Sequence, residues 1–499
     1  KENIMKKLIN SLLMLLVCQG AFAQGDIDAL RYSQDEIGST AKSIAVGGAY
    51  GALGADLSSA VINPAGLAVF RSNSFTFGGS MINTKSNIAY QDNTKKDFDF
   101  NLALPSVGMV FYNGKYDKRK PATKGWVNTN FSITVNRTNN FNGIRNYSGT
   151  NDDNSMLDYF AERANGLSVN EISASSEELE TGYFDIETMA WDAYLIDSVG
   201  LRTFGAAIDP LNNQLNQKNV ITTNGGTHEI GIHLSSNYEN KFYIGGGLNV
   251  TTVRYKEQNR FIETDESSNY NNWSVWSLTQ NVLTKGVGVS ANVGVIFKPT
   301  ANVRVGAALK TPTLYDLRDE YNDELVVDYD DGTYGEFKTM EGYYEYKILS
   351  PLKTTLSGVY LFGKNGFISS DIEIVDYSTM RLRPANSAFE VANDRISSKY
   401  GKAVNIRLGG EYVRNMVRLR GGLARYSSPL ATAADDNLTR NYITGGVGLK
   451  DKRWSLDMAV VQQLGKETIQ PYTLDAGIVP TAVNSAKRNS LVITLTTKF

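Results

Sequence analysis

The last ten residues, Ser490 to Phe499, constrain the fold more than any other stretch of the chain. Leu491, Ile493, Leu495 and Phe499 fall on one face of an extended strand, and Val492, Thr494, Thr496 and Lys498 on the other, because strand side chains change face at every residue. One row suits lipid and the other a wet lumen, and the aromatic last residue completes the pattern of a closing strand in an outer-membrane β-barrel.

The amino terminus predicts the same compartment. Lys6 and Lys7 precede an apolar run from Leu8 to Val17, and Ala21-Phe22-Ala23 offers a small-residue cleavage site before Gln24, so residues 1–23 read as a signal peptide for export. Cys18 raises a lipoprotein signal, but Val17 is bulkier than such a site prefers and the Ala-Phe-Ala site fits better. The mature chain then has no cysteine, which removes disulfide and thiol chemistry.

Composition read alone misleads. Near-neutral charge and moderate hydrophobicity resemble a soluble protein, and no internal segment approaches the roughly 20 apolar residues of a spanning helix. A barrel needs an apolar residue only at every second position, so window averages dilute its signal, and abundant tyrosine suits interfacial girdles. Balanced charge argues against nucleic acid as a partner.

The alternation recurs. Val287, Val289, Ala291, Val293, Val295 and Phe297 are interleaved with Gly288, Ser290, Asn292 and Gly294, and Trp454, Leu456, Met458 and Val460 with Ser455, Asp457 and Ala459. Strands are predicted near 74–84, 98–112, 126–137, 228–238, 241–256, 285–298, 302–311, 341–362, 366–376, 402–413, 416–426, 441–449, 453–463 and 490–499. The fold class is therefore all-β, a transmembrane antiparallel barrel of about 14 strands, an even number as in bacterial barrels. Tight turns such as Glu239-Asn240, Arg414-Asn415 and Lys450-Asp451-Lys452 alternate with longer segments, as periplasmic turns and external loops do. Pro351 should mark a bulge or a strand start, since proline gives the ladder no donor.

Two regions do not read as wall in the barrel of residues 73–499. Residues 138–227 form a long external excursion with helical patterning around Met156 to Ala164 and Glu187 to Val199, either a functional cap or a solvated loop ordered by short helices. Residues 24–72 are too long for a linker. Their Ala/Gly-rich stretch from Ser43 to Asp56 suits small turns packed against other backbone, as a plug or hatch inside the barrel requires.

These residues carry a family resemblance. Asp28-Ala29-Leu30-Arg31-Tyr32-Ser33, the glycine-rich stretch after it, and Ser58-Ser59-Ala60-Val61-Ile62-Asn63-Pro64-Ala65-Gly66-Leu67 look like the start of FadL/TodX-type outer-membrane hydrophobic-compound transporters, in the style of members from Bacteroidetes. Pro299 to Leu309 followed by Lys310-Thr311-Pro312 also resembles that family's middle hairpin, so the likeness covers most of the mature chain. It implies a barrel closed by an amino-terminal hatch, through which long-chain fatty acids or other apolar molecules enter, with release by rearrangement of the hatch or a lateral opening of the wall. By this analogy Asn63, Pro64, Ala65 and Gly66 form a hatch motif. Pro64 fixes its own φ and biases Asn63 toward extended geometry, and Asn63 can bond local backbone. The plainer reading is that these residues end a helix and start the wall.

The alternation also assigns the lumen. Asp371 and Glu373 face inward on one strand, Arg407 and Glu411 on the next, Arg418 and Arg420 on the one after, and Arg304 and Lys310 on the central hairpin. These charges either brace the barrel as a salt-bridge network, the commoner arrangement, or hold a ligand carboxylate, for which arginine is suited. Catalysis has little support: His228 and His233 fall on opposite strand faces, and no Ser-His-Asp, HExxH or phosphate-loop arrangement is present in a suitable context. The acidic pair Asp330-Asp331 lies in a predicted external loop, where calcium binding stays open. No cofactor, metal or ATP is required by the sequence. The expected function is passive uptake of hydrophobic small molecules, with outer-membrane lipids and the barrel-assembly machinery as the other partners. The alternatives are a general pore or structural barrel and, with less support, a barrel enzyme.

Overall fold

Period-two alternation builds a closed wall. The computed structural model describes residues 25–117, 120–177, 183, 185–208, 215–267, 273–384, 387–432 and 438–499, so the signal peptide expected over 1–23 lies outside the described residues. Its 14 wall strands pair antiparallel in sequence order, and the last closes on the first. They are β1 (Ser74–Tyr90), β2 (Asn93–Ala103 and Ser106–Gly114), β3 (Trp126–Asn140 and Gly143–Asn151), β4 (Leu215–Tyr238), β5 (Phe242–Asp265), β6 (Trp273–Phe297) and β7 (Val303–Lys310 and Leu314–Tyr329). The second half comprises β8 (Gly342–Leu349 and Lys353–Leu361), β9 (Gly366–Asp376 and Arg381–Arg383), β10 (Lys402–Arg414), β11 (Val417–Tyr426), β12 (Arg440–Lys450), β13 (Trp454–Ile469) and β14 (Ala482–Lys498). Closure runs from Ser74 opposite Lys498 to Ala89 opposite Val483.

The two faces of the wall meet different solvents. Leu248, Val289 and Ile493 point out and are exposed, while Asn249, Ser290 and Thr494, one residue away, point in and are buried. An apolar belt around a polar interior is what hydrocarbon outside and a filled lumen inside require, because lipid offers no hydrogen bonds to unpaired backbone. No described helix is long and apolar enough to cross a membrane.

Proline sets the breaks in the strands. Pro351 interrupts β8 and Pro312 interrupts its neighbour β7 at the same level, where Thr313 N donates to Ser350 Oγ at 2.8 Å and Ser350 N donates to Thr313 O at 3.0 Å in place of the missing ladder bonds. Pro105 divides β2, and Phe141-Asn142 divides β3.

The strands outrun the sequence expectation at one end. β4 and β5 have 24 residues each and β6 has 25, against the roughly 9–11 needed to span a bilayer. The excursion expected over 138–227 is correspondingly shorter: β3 continues to Asn151, β4 begins at Leu215, and the two pair from Leu215 opposite Asn151 to Thr223 opposite Gly143. These extensions rise beyond the apolar belt, so they carry Asn, Thr and Gln rather than an apolar row. Between them, α-helices at Met156–Ala164, Val169–Glu177 and Ile186–Asp192 pack Phe160, Met189 and Leu195 against Trp273 and Trp276 of β6. The helix expected over 187–199 stops at Asp192. Tyr194 sits at φ 56, which ends the helical run, and Ile196–Gly200 is a strand.

Inside the wall lies the amino-terminal segment, with α1 (Gly25–Ser33), α2 (Ala41–Ile44), α3 (Ser59–Ile62) and a 3₁₀ turn at Pro64–Val69. Thr40 caps α2 through a reciprocal bond with Ser43, and its hydroxyl donates to Asp56 Oδ1 at 2.6 Å, tying the two ends of the glycine-rich stretch together.

Candidate functional site in the barrel lumen

The segment is seated by wall side chains that satisfy its backbone. Compact turns leave carbonyls and amides unpaired, and each buried one needs a partner. Asn130 Nδ2 donates to Leu67 O at 2.8 Å and Phe70 O at 3.1 Å, Asn128 Nδ2 to Ala68 O at 3.1 Å, and Asn292 Nδ2 to Ala60 O at 2.6 Å. Ser369 Oγ donates to Ala49 O at 2.7 Å, and Thr444 Oγ1 both donates to Ala45 O at 3.1 Å and accepts from Gly47 N at 3.0 Å. Thr494 Oγ1 accepts from Ala41 N at 2.9 Å.

Asn63 anchors the same seat. Its Nδ2 donates to Gly51 O at 2.7 Å and Val295 O of β6 at 3.2 Å, and its Oδ1 accepts from Ala65 N at 3.1 Å, capping the 3₁₀ turn that Pro64 opens. Asn63, Pro64, Ala65 and Gly66 are therefore brought together at the joint between the segment and the wall. Gly54 and Gly66 pack backbone against backbone there, a Cβ on Gly54 falling 2.8 Å from Gly66 O.

The seat also needs inward glycines, which sequence reasoning missed. A Cβ on Gly294 would lie 2.0 Å from Asn63 Oδ1, on Gly245 2.4 Å from Pro64 O, on Gly409 2.2 Å from Val46 O, and on Gly422 2.2 Å from Gly47 N. The available signal was a glycine at the lower inward position of successive wall strands, at 245, 294, 306, 409, 422 and 446.

Every charged residue expected in the lumen points inward and is engaged. Arg407 pairs with Glu373, with Asp371 at 4.0 Å, and donates from Nε to Tyr426 Oη at 3.0 Å. Arg420 bridges Glu411 at 2.7 Å and Asp457 at 2.6 Å, and Arg418 reaches Glu411 at 3.5 Å. Lys310 pairs with Glu229, and Arg304 donates to Leu53 O. Asp371 Oδ2 accepts from Tyr50 N and Gly51 N, each at 3.0 Å. Further ion pairs join segment to wall, Lys353 with Asp35 and Arg488 with Glu36. Each cation of the expected set thus already has an acceptor.

Above this polar floor the lumen is apolar and aromatic. Tyr32 and Ala29 of α1 pack with Tyr255, Tyr315, Tyr346 and Ile348 of the wall, with Tyr377 of a 3₁₀ turn, and with Phe389 and Ile396 of the helix Ser387–Lys399, which is absent from the sequence expectation. Asp28 lies beside the same cluster; burial pushes its carboxyl up to about 7, and the paired Arg31, whose guanidinium sits over the Tyr255 ring, limits the rise.

The cluster abuts a stretch of wall where two neighbouring strands share no ladder among the described residues. Below it, β2 and β3 pair from Gly114 opposite Asn128 to Ser106 opposite Asn136. Beyond Pro105 that ladder stops: Asn93–Ala103 pairs with β1 and Gly143–Asn151 with β4, with no ladder between them among the described residues. Phe141 stands at this seam, edge-on to Tyr32 at 5.9 Å and to Tyr255 at 5.4 Å. Arg137 braces the bend by donating to Gly225 O at 3.1 Å and Asn139 O at 3.2 Å.

His233 is buried on the lumen side and His228 lies on the other face, so they form no pair. Among the described residues no group of three His, Cys, Asp or Glu is placed to hold a metal ion.

Comparison of the whole fold is decisive for architecture. The Pseudomonas putida toluene transporter TodX superposes with a TM-score of 0.52 at 13% identity, over 94% of this chain and 100% of TodX. A Pseudomonas aeruginosa FadL homologue gives 0.54 at 12% identity, again over 94% and 100%. The chain has the FadL-type barrel fold. No protein-family model and no curated protein matches the sequence.

Proposed function

We propose that this protein is an outer-membrane channel for passive uptake of hydrophobic small molecules, with the amino-terminal segment as its hatch and the β2–β3 seam as its side exit. One observation carries the reading: an aromatic cluster beside α1 adjoins a stretch of wall where β2 and β3 share no ladder among the described residues, while hydrogen bonds and ion pairs tie the segment to the wall beneath it. An axial path would break on the order of ten segment-to-wall hydrogen bonds, each worth roughly 1 kcal/mol net. The sideways path crosses no ladder; it has to move aromatic side chains such as Phe141 and Tyr32 and break a few side-chain bonds, among them Ser86 Oγ to Ile144 O at 2.8 Å and the Arg145–Glu467 pair.

The outer-membrane placement is supported by the apolar belt and by the fold shared with the toluene transporter TodX. Because the lumen cations are already paired, a ligand carboxylate would have to displace an ion pair, so recognition rests on the apolar body of the ligand. Neutral aromatic compounds and the tails of long-chain fatty acids both fit that chemistry. Movement down a concentration gradient requires no ATP or metal.

The test is uptake of a labelled long-chain fatty acid and of a labelled neutral aromatic compound by cells with and without the protein at matched surface abundance. Protein-dependent accumulation of either supports the channel, and the preferred compound sets the ligand class. No difference for both, together with free ion conductance of the purified protein in planar bilayers, would make it a general pore.

A further inference from the structure

The outward face of the wall carries a second pattern that uptake does not use. A span of roughly 9–11 tilted residues, counted from Ser74 on β1 and from Lys498 on β14, ends at about residues 84 and 488. Lys85 and Lys487 stand immediately beyond it, both exposed, and directly opposite each other in the ladder. Like charges placed directly opposite destabilise a sheet pair unless an anion lies between them.

The same level continues the pattern around the wall. Leu464 is opposite Lys487, Asn441 opposite Leu464, and Arg425 opposite Asn441. One step further out, Lys96 stands opposite Asn87 and Lys466 opposite Ser485. Lys85, Lys96, Arg425, Lys466 and Lys487 are all exposed, and none has a carboxylate within ion-pair distance among the described residues. They line a groove of about 1130 Å³ on the wall between β2 and β11. Its one carboxylate, Asp97, belongs to the inward set of β2, opposite Ser86.

Apolar surface meets these cations from the membrane side. Phe98 is opposite Lys85, Phe100 opposite Asn83, and Leu102 opposite Met81. Phe98, Phe100 and Leu102 are 71%, 57% and 69% exposed, and Met81, 49% exposed, adjoins Leu491 and Val460. Cations above a strip of uncovered hydrocarbon match an amphiphile with anionic groups at its head and acyl chains below.

We propose that this groove binds a phosphate-bearing lipid of the outer leaflet, its phosphates held between Lys85, Lys487, Lys96 and Lys466 and its acyl chains lying on Met81, Leu102 and Val460. The assignment rests on the outer-membrane reading above, yet it is independent of what the lumen transports. The orientation follows from topology, since the cations lie at the end of the wall away from the short turns and away from Phe499, whose N–H donates to Asn73 O at 3.1 Å. Charge neutralisation by a shared phosphate also accounts for the placement of two lysines in direct opposition.

The experiment uses the full mature protein in phosphatidylcholine nanodiscs containing a tenth of bis-phosphorylated lipid A, with native mass spectrometry reading retained lipid. The expected result is lipid A retained over phosphatidylcholine by the native protein, and at least tenfold less by the K85Q/K487Q pair. K256Q, which changes an exposed lysine on β5, should retain it fully. Folding of each variant is read from heat-modifiable migration. Should K85Q/K487Q fail to fold, K96Q/K466Q is used and must show the same loss. Equal retention by native protein and folded variants, or no preference over phosphatidylcholine, overturns the proposal. Complete displacement by inorganic phosphate at equal concentration overturns it too, since the groove would then be an ion site rather than a lipid site. Hydrocarbon uptake measured on the same variants should be unchanged, which separates failure of this assignment from failure of the channel reading.

Discussion

At the scale of single residues, Asn63 concentrates the joint between segment and wall into one side chain. Removing it in Asn63→Ala deletes its bonds to Gly51 O, Val295 O and Ala65 N, and leaving buried partners unmet costs roughly 1–3 kcal/mol. The expected outcome is faster amide exchange across residues 49–66 and a raised ion leak in planar bilayers, with heat-modifiable folding of the barrel retained. Gly294→Val should give the same leak by a different route, because its Cβ would fall within 2.0 Å of the Asn63 amide oxygen. A Gly294→Val protein with native exchange and native leak would show that the seat tolerates the intrusion. The direction of each lumen charge was legible from sequence because period two leaves only two faces. Its partner was not: Arg420 pairs with Asp457 two strands away, which alternation within one strand cannot register. The inward glycines were legible as a recurring position but not as a seat, since a glycine reports nothing about what fills the space it leaves.

At the scale of elements, α1 is the part of the segment whose seating depends on pH. Asp28 has its carboxyl raised by burial from the ordinary aspartate range to about 7, with Arg31 offsetting only part of that cost. A raised folded pKa means the seated state binds the proton more tightly than the released state. Seating is therefore fully stabilised below about pH 4 and loses that stabilisation as pH rises through 7. Hydrogen exchange of residues 25–34, corrected for intrinsic rates, should show about tenfold greater protection at pH 5.5 than at pH 8.5. Asp28→Asn should flatten the dependence, and a native profile in that variant would assign the effect to another group. The strands themselves were legible wherever one face met lipid and ended too early where neither face did. Thus β4 was expected from residue 228 but begins at Leu215, since its outer half carries no apolar row for the eye to follow. The helix at Ser387–Lys399 was missed because it presents only a few apolar residues to the cluster, Phe389, Ala392 and Ile396, among many polar ones.

At the scale of the whole molecule, the aromatic cluster and the seam exist only after closure. The cluster draws on α1, β5, β7, β8 and β9 and on Ser387–Lys399, segments hundreds of residues apart, so no local pattern could announce it. The seam follows from two local interruptions, Pro105 on β2 and Phe141-Asn142 on β3: the shared ladder ends where Arg137 N donates to Pro105 O at 2.9 Å, and β3 is itself interrupted four residues later. If molecules leave through this seam, its width sets the largest one that passes. Phe141→Ala removes the ring that touches both Tyr32 and Tyr255, leaving room beside α1 without disturbing any ladder bond. Competitive uptake of a one-ring and a three-ring aromatic compound should then shift several-fold toward the larger, with the smaller little changed. An unchanged ratio, in a variant whose surface abundance and heat-modifiable folding are native, would move the exit away from the seam. Asn63→Ala, which loosens the floor and not the side, should leave the size ratio unaltered while raising the ion leak. The two variants together thus distinguish a lateral route from an axial one.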